Sequence, residues 1–146
     1  MKLEELVIYQ TSNELADKIW KLIVQWDSFS KDTLGKELIM ATDMVATNIA
    51  VGFGRYSKYD TKVYAYYSRG ALFAAKSWLT KAHSRGLVNF DDLEMLIGEI
   101  DILETKLNNY IKSIGRGRTN NSGGGSYNKY QPHQSDSDMP NFDVQD

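Results

Sequence analysis

From Met1 to Ile114 the chain contains no proline, and apolar side chains recur every three or four residues in four blocks separated by short polar breaks. Proline removes an amide donor and clashes with the preceding turn, so a stretch of this length without it permits long helices. Steps of three and four place side chains on one helical face, whereas a strand needs alternation, of which there is little here. The first block aligns Leu15, Ile19, Leu22, Ile23 and Trp26, and the second Leu38, Val45, Ile49 and Phe53. The third aligns Tyr64, Ala71, Ala75, Trp78 and Ala82, and the fourth Leu93, Leu96, Ile97, Ile100, Leu103, Leu107 and Ile111. Four one-sided stripes can close a single core, so the expected class is all-α: an antiparallel up-down-up-down four-helix bundle with helices of roughly 20 to 27 residues.

The breaks carry stop and start signals. Asp32 or Thr33 is the expected cap of helix 2, with Gly54 at its end. Ser57 with Asp60 opens helix 3, Gly86 closes it, and Asn89 opens helix 4. Val51-Gly52-Phe53-Gly54 follows no strand and precedes no GK[ST], so it reads as a helix end with close packing rather than a phosphate loop. After Ile114 the composition changes, with both prolines and almost no aliphatic side chain, which divides the chain into a bundle over 1–114 and a disordered polar tail over 115–146. Arg116, Arg118 and Lys129 come early in the tail and Asp136, Asp138, Asp143 and Asp146 late, the pattern of a tethered arm whose basic root can touch an anion.

Several chemistries lack their residues. The chain has no cysteine and only His83 and His133, which removes thiol nucleophiles and thiolate zinc sites and makes the cytoplasm the expected compartment. The longest apolar run is Ala71 to Ala75, and Met1 to Glu5 does not begin a signal peptide, so no membrane association is expected. No Glu-x-x-His pair occurs, and the acidic residues of helix 4 lie off its apolar stripe, so no metal, no cofactor and no catalytic residue is expected; the chain reads as a non-enzyme.

Charge is the informative feature. Between Arg55 and Arg85 stand seven basic residues and one acidic, whereas the segments before and after are net acidic. Lys62, Arg69, Lys76 and His83 follow at intervals of seven with Lys58 beside them, and Arg55 to Arg69 interleaves four cations with Tyr56, Tyr59, Tyr64, Tyr66 and Tyr67. Cations for phosphate and aromatic planes for stacking are what single-stranded or looped RNA requires. The candidate nucleic-acid residues are therefore Arg55, Lys58, Lys62, Arg69, Lys76, Tyr56, Tyr59 and Tyr66. The competing reading assigns Tyr64 and Tyr67 to the core, makes Tyr66, Leu72, Phe73 and Leu79 an oligomer contact, and pairs the cations with acidic helices of a neighbouring subunit.

Asn48-Ile49-Ala50-Val51-Gly52-Phe53-Gly54-Arg55-Tyr56-Ser57 and Ser68-Arg69-Gly70-Ala71-Leu72, followed by Trp78-Leu79 and Ala82, resemble the four-helix-bundle proteins encoded in intervening sequences of bacterial 23S ribosomal RNA genes. The resemblance covers about residues 3–114. A related branch that the chain also resembles is the accessory variability protein of diversity-generating retroelements. The resemblance implies a homo-pentamer with a nucleic-acid role, or alternatively a protein adaptor working with a reverse transcriptase. The chain departs from the family pattern at Ile39, Met40, Ala46, Val51 and Ala74, where polar residues or a proline usually stand. The loss of two cations at Ile39 and Met40 weakens a transferred nucleic-acid role, and the added apolar groups favour a protein interface.

Overall fold

The structure, a computed structural model, describes residues 1–115. Four long helices carry it: α1, Val7–Ile23; α2, Lys36–Phe53; α3, Lys58–Ser84; and α4, Phe90–Ser113. Among the described residues there is no strand. Each helix packs on the next, α2 and α3 most extensively, and α4 closes against α1.

The neighbours run antiparallel, as their contacts show. Between α1 and α2, Ile23 lies against Gly35 just ahead of α2, and Asp17 faces Asp43 further along. Between α2 and α3, Gly52 pairs with Thr61 and Val45 with Ser68. Between α3 and α4, Lys76 meets Asp101 while His83 lies beside Phe90. The all-α bundle expected from periodicity is thus the observed fold.

The core is drawn from all four helices, with Ile19, Leu38, Val45, Ile49, Leu72, Leu79, Ile100, Leu103 and Leu107 at its centre. Capping follows the sequence at three joints. The Ser57 hydroxyl accepts from the Asp60 amide at 3.0 Å, and the Asn89 side chain accepts from the Asp92 amide at 2.8 Å. Gly86 takes φ +79°, a conformation that disfavours a Cβ, and lets Leu87 N–H reach the Ala82 carbonyl at 2.9 Å.

At α2 the expectation is corrected. The helical path starts at Ser28–Ser30, capped by the Asp27 carboxylate, which accepts from the Ser30 amide at 3.2 Å. It continues through a π-helical turn over Lys31–Gly35 into α2. Asp32 and Thr33 therefore lie inside the helical path, exposed, and the Thr33 hydroxyl donates to the Phe29 carbonyl instead of capping. Gly35 is buried here, and a Cβ on it would stand 2.7 Å from Ile23 Cγ2, so α1 and the start of α2 approach too closely for a larger residue. Phe53, expected in the core stripe, is exposed at the last turn of α2.

Candidate nucleic-acid interface

The position of α3 decides what its charges can do. Its buried residues are Ala65, Ser68, Leu72, Ala75, Leu79 and Ala82, an unbroken alternation of steps of three and four. That face is turned about 60° from the one expected around Tyr64, Ala71 and Trp78, counting about 100° per residue. Tyr64, Ala71 and Trp78 are half-buried on its edge, and Tyr67, expected inside, is 57% exposed. Small side chains occupy the true interface because α2 and α3 sit close together. Thr61 donates its hydroxyl to the Gly52 carbonyl at 2.9 Å, and a Cβ on Gly52 would stand 3.0 Å from the Thr61 carbonyl.

Two of the expected oligomer residues are corrected by the same rotation. Leu72 is 1% exposed and Leu79 0%, both consumed by the chain's own core, so neither is available to a second subunit while the bundle is folded. Tyr66 is half-buried against the core, and Phe73 is 45% exposed. The heptad-spaced cations do not oppose the buried face; they flank it on the side of α4.

That placement divides the stripe in two. In the distal half, Lys76 donates to the Asp101 carboxylate at 2.9 Å, and the His83 ring bonds the Val88 carbonyl through Nδ1 at 2.8 Å. The acidic partner that sequence reasoning assigned to a neighbouring subunit thus lies within the same chain, on α4. Arg69 is half-buried with its guanidinium 5.9 Å from the Phe73 ring centroid.

The N-terminal half is different. Arg55 donates from Nη2 to the Tyr64 hydroxyl at 2.9 Å, and its guanidinium lies 5.1 Å from the Tyr64 ring centroid. The hydrogen bond to Tyr64 pushes the Arg55 pKa further above its ordinary value, and Asp60 adds to the effect, so the charge is permanent. Tyr64 is steadied in turn by the edge of Tyr67, with ring centroids 5.4 Å apart at 84°. One arginine donor is used, which leaves the rest of the fork for an anion. Lys58 is exposed and Lys62 half-buried, and neither forms an ion pair with a described residue. Tyr56 is fully exposed in the α2–α3 connection, and Tyr59 is exposed one residue past Lys58.

The α2–α3 hairpin end therefore brings together Arg55, Lys58, Lys62, Tyr56 and Tyr59, and leaves Lys76 and Arg69 further along the helix. Among the described residues no group of three or more His, Asp or Glu is placed to hold a metal ion, and no helix is long and apolar enough to cross a membrane.

The sequence model of the family described as 23S rRNA-intervening sequence protein matches residues 4–109. The chain belongs to that family. No curated protein matches it. The matched region takes in all of α1, α2 and α3 and most of α4, so the hairpin end lies inside the family's shared domain. Expected features that lie past Gly115, namely the disordered tail and its charge split, are outside the described residues.

Two surface features that the sequence gives only in part are complete in the structure. Met40, Met44 and Val51 are exposed and spaced by four and seven, an apolar ridge on the outer side of α2. The spacing is legible once Leu38, Val45 and Ile49 are assigned to the inner side. The other is Tyr67, assigned to the core on sequence and exposed here beside Tyr64.

Proposed function

We propose that this chain is a non-enzymatic homo-oligomeric scaffold, a pentamer by family resemblance, that binds single-stranded or looped RNA at the α2–α3 hairpin end. Arg55, Lys58 and Lys62 supply phosphate contacts, and Tyr56 and Tyr59 supply stacking planes. The observation that carries the reading is the company these residues keep: two lysines without carboxylate partners among the described residues, a tyrosine-braced arginine and two exposed tyrosines within eight residues of chain. Replacing Lys58 and Lys62 together by glutamate is expected to weaken binding of a single-stranded RNA by at least about twentyfold at 0.1 M salt, since each lost contact also removes its share of counterion release. Equal binding by the variant, with its circular dichroism unchanged, overturns the assignment.

Assembly in this proposal rests on Phe73 and on the Met40, Met44 and Val51 ridge, apolar groups that a lone bundle leaves in water. The same ridge favours a second reading, a protein adaptor such as the accessory subunit of a retroelement reverse transcriptase, without direct RNA contact. Light scattering with absorbance at 260 and 280 nm, at low and high salt, separates the two. RNA carried by an oligomer and shed with salt supports the scaffold, and an oligomer free of RNA supports the adaptor.

A further inference from the structure

Arg55 is held at both ends. Its backbone N–H donates to the Gly52 carbonyl at 3.2 Å, and the Thr61 hydroxyl donates to the same oxygen at 2.9 Å, so the end of α2 and the first turn of α3 close on one acceptor around the connection. At the far end of the side chain, Nη2 donates to the Tyr64 hydroxyl at 2.9 Å, with the guanidinium 5.1 Å from the ring centroid. Tyr64 is half-buried and braced by the edge of Tyr67, whereas Arg55 is exposed. The plane of its guanidinium is therefore set before any ligand arrives, and its remaining N–H groups are open to one.

The other members of the hairpin site do not tell one base from another. Lys58 and Lys62 carry point charges that take a phosphate from any direction, and the rings of Tyr56 and Tyr59 stack on every base. A planar fork in a fixed orientation is different, because its adjacent donors match two adjacent acceptors. Guanine presents such a pair, N7 and O6, on its Hoogsteen edge. Adenine sets the N6 donor beside N7, and uracil sets its N3–H beside O4, so each meets one N–H with another. Cytosine shows a like pair, N3 and O2, on its Watson–Crick edge, but its single ring offers a smaller plane to the tyrosines.

We propose that Arg55 is the specificity-determining residue of the hairpin site. It takes the N7 and O6 acceptors of a guanine in a single strand whose neighbouring bases stack on Tyr56 and Tyr59 and whose phosphates lie on Lys58 and Lys62. This rests on the RNA reading given above and names the base that the site selects. Tyr64 is a positioning residue: it holds the plane of the Arg55 fork and does not itself touch the base. The Arg55 charge still draws the strand, so a lysine in its place keeps the attraction and loses the choice of base.

The test uses the full chain and fluorescent oligouridylates of about nine nucleotides, within the length that one such site covers, with U, G, A or C at the central position. The wild-type chain is expected to bind the G probe about tenfold more tightly than the other three, the discrimination of one bidentate pair. Arg55→Lys is expected to bind the all-U probe within about twofold of the wild type and to bind all four probes alike. Tyr64→Phe keeps the ring and removes the hydroxyl acceptor. It is expected to cut the preference for G to about threefold with all-U binding unchanged, a loss confined to one probe that general loosening of the hairpin would not give.

If the wild-type chain binds the all-U probe but holds G no more tightly, or holds C as tightly as G, the guanine assignment is overturned while the hairpin site stands. Full G preference in Arg55→Lys overturns the role of Arg55, and full G preference in Tyr64→Phe overturns the positioning by Tyr64. If the wild-type chain binds none of the four probes, the base assignment and the RNA reading fall together.

Discussion

Ser68 donates its hydroxyl to the Val45 carbonyl at 2.6 Å, a fully buried hydrogen bond that joins the middle of α3 to the middle of α2. The Val45 carbonyl also serves its own helix, so Ser68 uses the second lone pair of an acceptor that is already satisfied. Ser68→Ala therefore removes one bond without stranding the acceptor. The expected cost is about 1 kcal/mol, seen as a lower urea midpoint with an unchanged slope.

Seven residues along from Val45, the close approach of the same two helices sets the sign of two glycine substitutions. Alanine is worth about 1 kcal/mol over glycine inside a helix. At Gly52 the added Cβ meets the Thr61 carbonyl at 3.0 Å and Tyr64 Cβ at 3.1 Å, atoms on or next to backbone that have no room to give. At Gly98 it meets nothing within 4 Å. Thermal denaturation is expected to show Gly52→Ala below the wild type and Gly98→Ala above it.

The number of helices and most of their ends were legible because each rests on local chemistry: a period of three to four, Ser57 and Asn89 as caps, Gly86 as a stop. The buried face of α3 was misplaced because its interface is built from Ala65, Ser68, Ala75 and Ala82, whose small size suits a close helix pair but weighs little in a hydrophobic count. Tyr64 and Trp78 weigh heavily in such a count and lie on the edge. The basic character of α3 was legible as a sum. The pairing of Lys76 with Asp101 was not, because it depends on how α3 and α4 are rotated against each other, and no residue of either helix states that alone.

Asp43, on the exposed side of α2, has a carboxyl partly shielded from water and within reach of the Asp17 charge on α1. Burial first, and the Asp17 charge second, raise its pKa above the usual 3.8. A raised carboxyl pKa means the folded state holds the proton more tightly than the unfolded state does. The ionised form therefore destabilises the fold above that raised value, and the penalty fades as pH falls toward 3.8 and below. Asp43→Asn is expected to raise the melting temperature at pH 7, and the gain over wild type is expected to shrink through the mildly acidic range. A gain that does not change with pH overturns the electrostatic cause.

Asp27 gives the opposite sign. Its hydrogen bonds at the start of the α2 path, first of all with Ser30, lower its pKa below 3.8. The stabilisation it supplies is present above pH 3.8 and is lost as pH falls through the lowered folded value. Asp27→Ala is expected to lower stability at pH 7, with the difference closing in strong acid, as read by the urea midpoint at each pH.

Asp101 engages Lys76, a cation that the proposed RNA site would otherwise have available. Its bridge to Lys76 is solvent-accessible, with side chains 37% and 53% exposed, so it contributes at most about 1 kcal/mol to the fold. Asp101→Asn removes a negative charge beside α3 and releases the Lys76 ammonium, which stands about 21 Å from Lys62 along the helix at 1.5 Å per residue. That distance is too long for a short oligonucleotide anchored at the hairpin end to bridge without extending, but within reach of a longer strand. Asp101→Asn is therefore expected to tighten binding of a long single strand and to steepen its salt dependence by about 0.7, one additional phosphate contact. Lys76→Ala in the wild-type background is expected to change little, because that ammonium is already engaged. If Lys76→Ala instead weakens binding as much as Lys62→Ala does, the RNA contact extends along the whole of α3 and the bridge to Asp101 opens when RNA arrives.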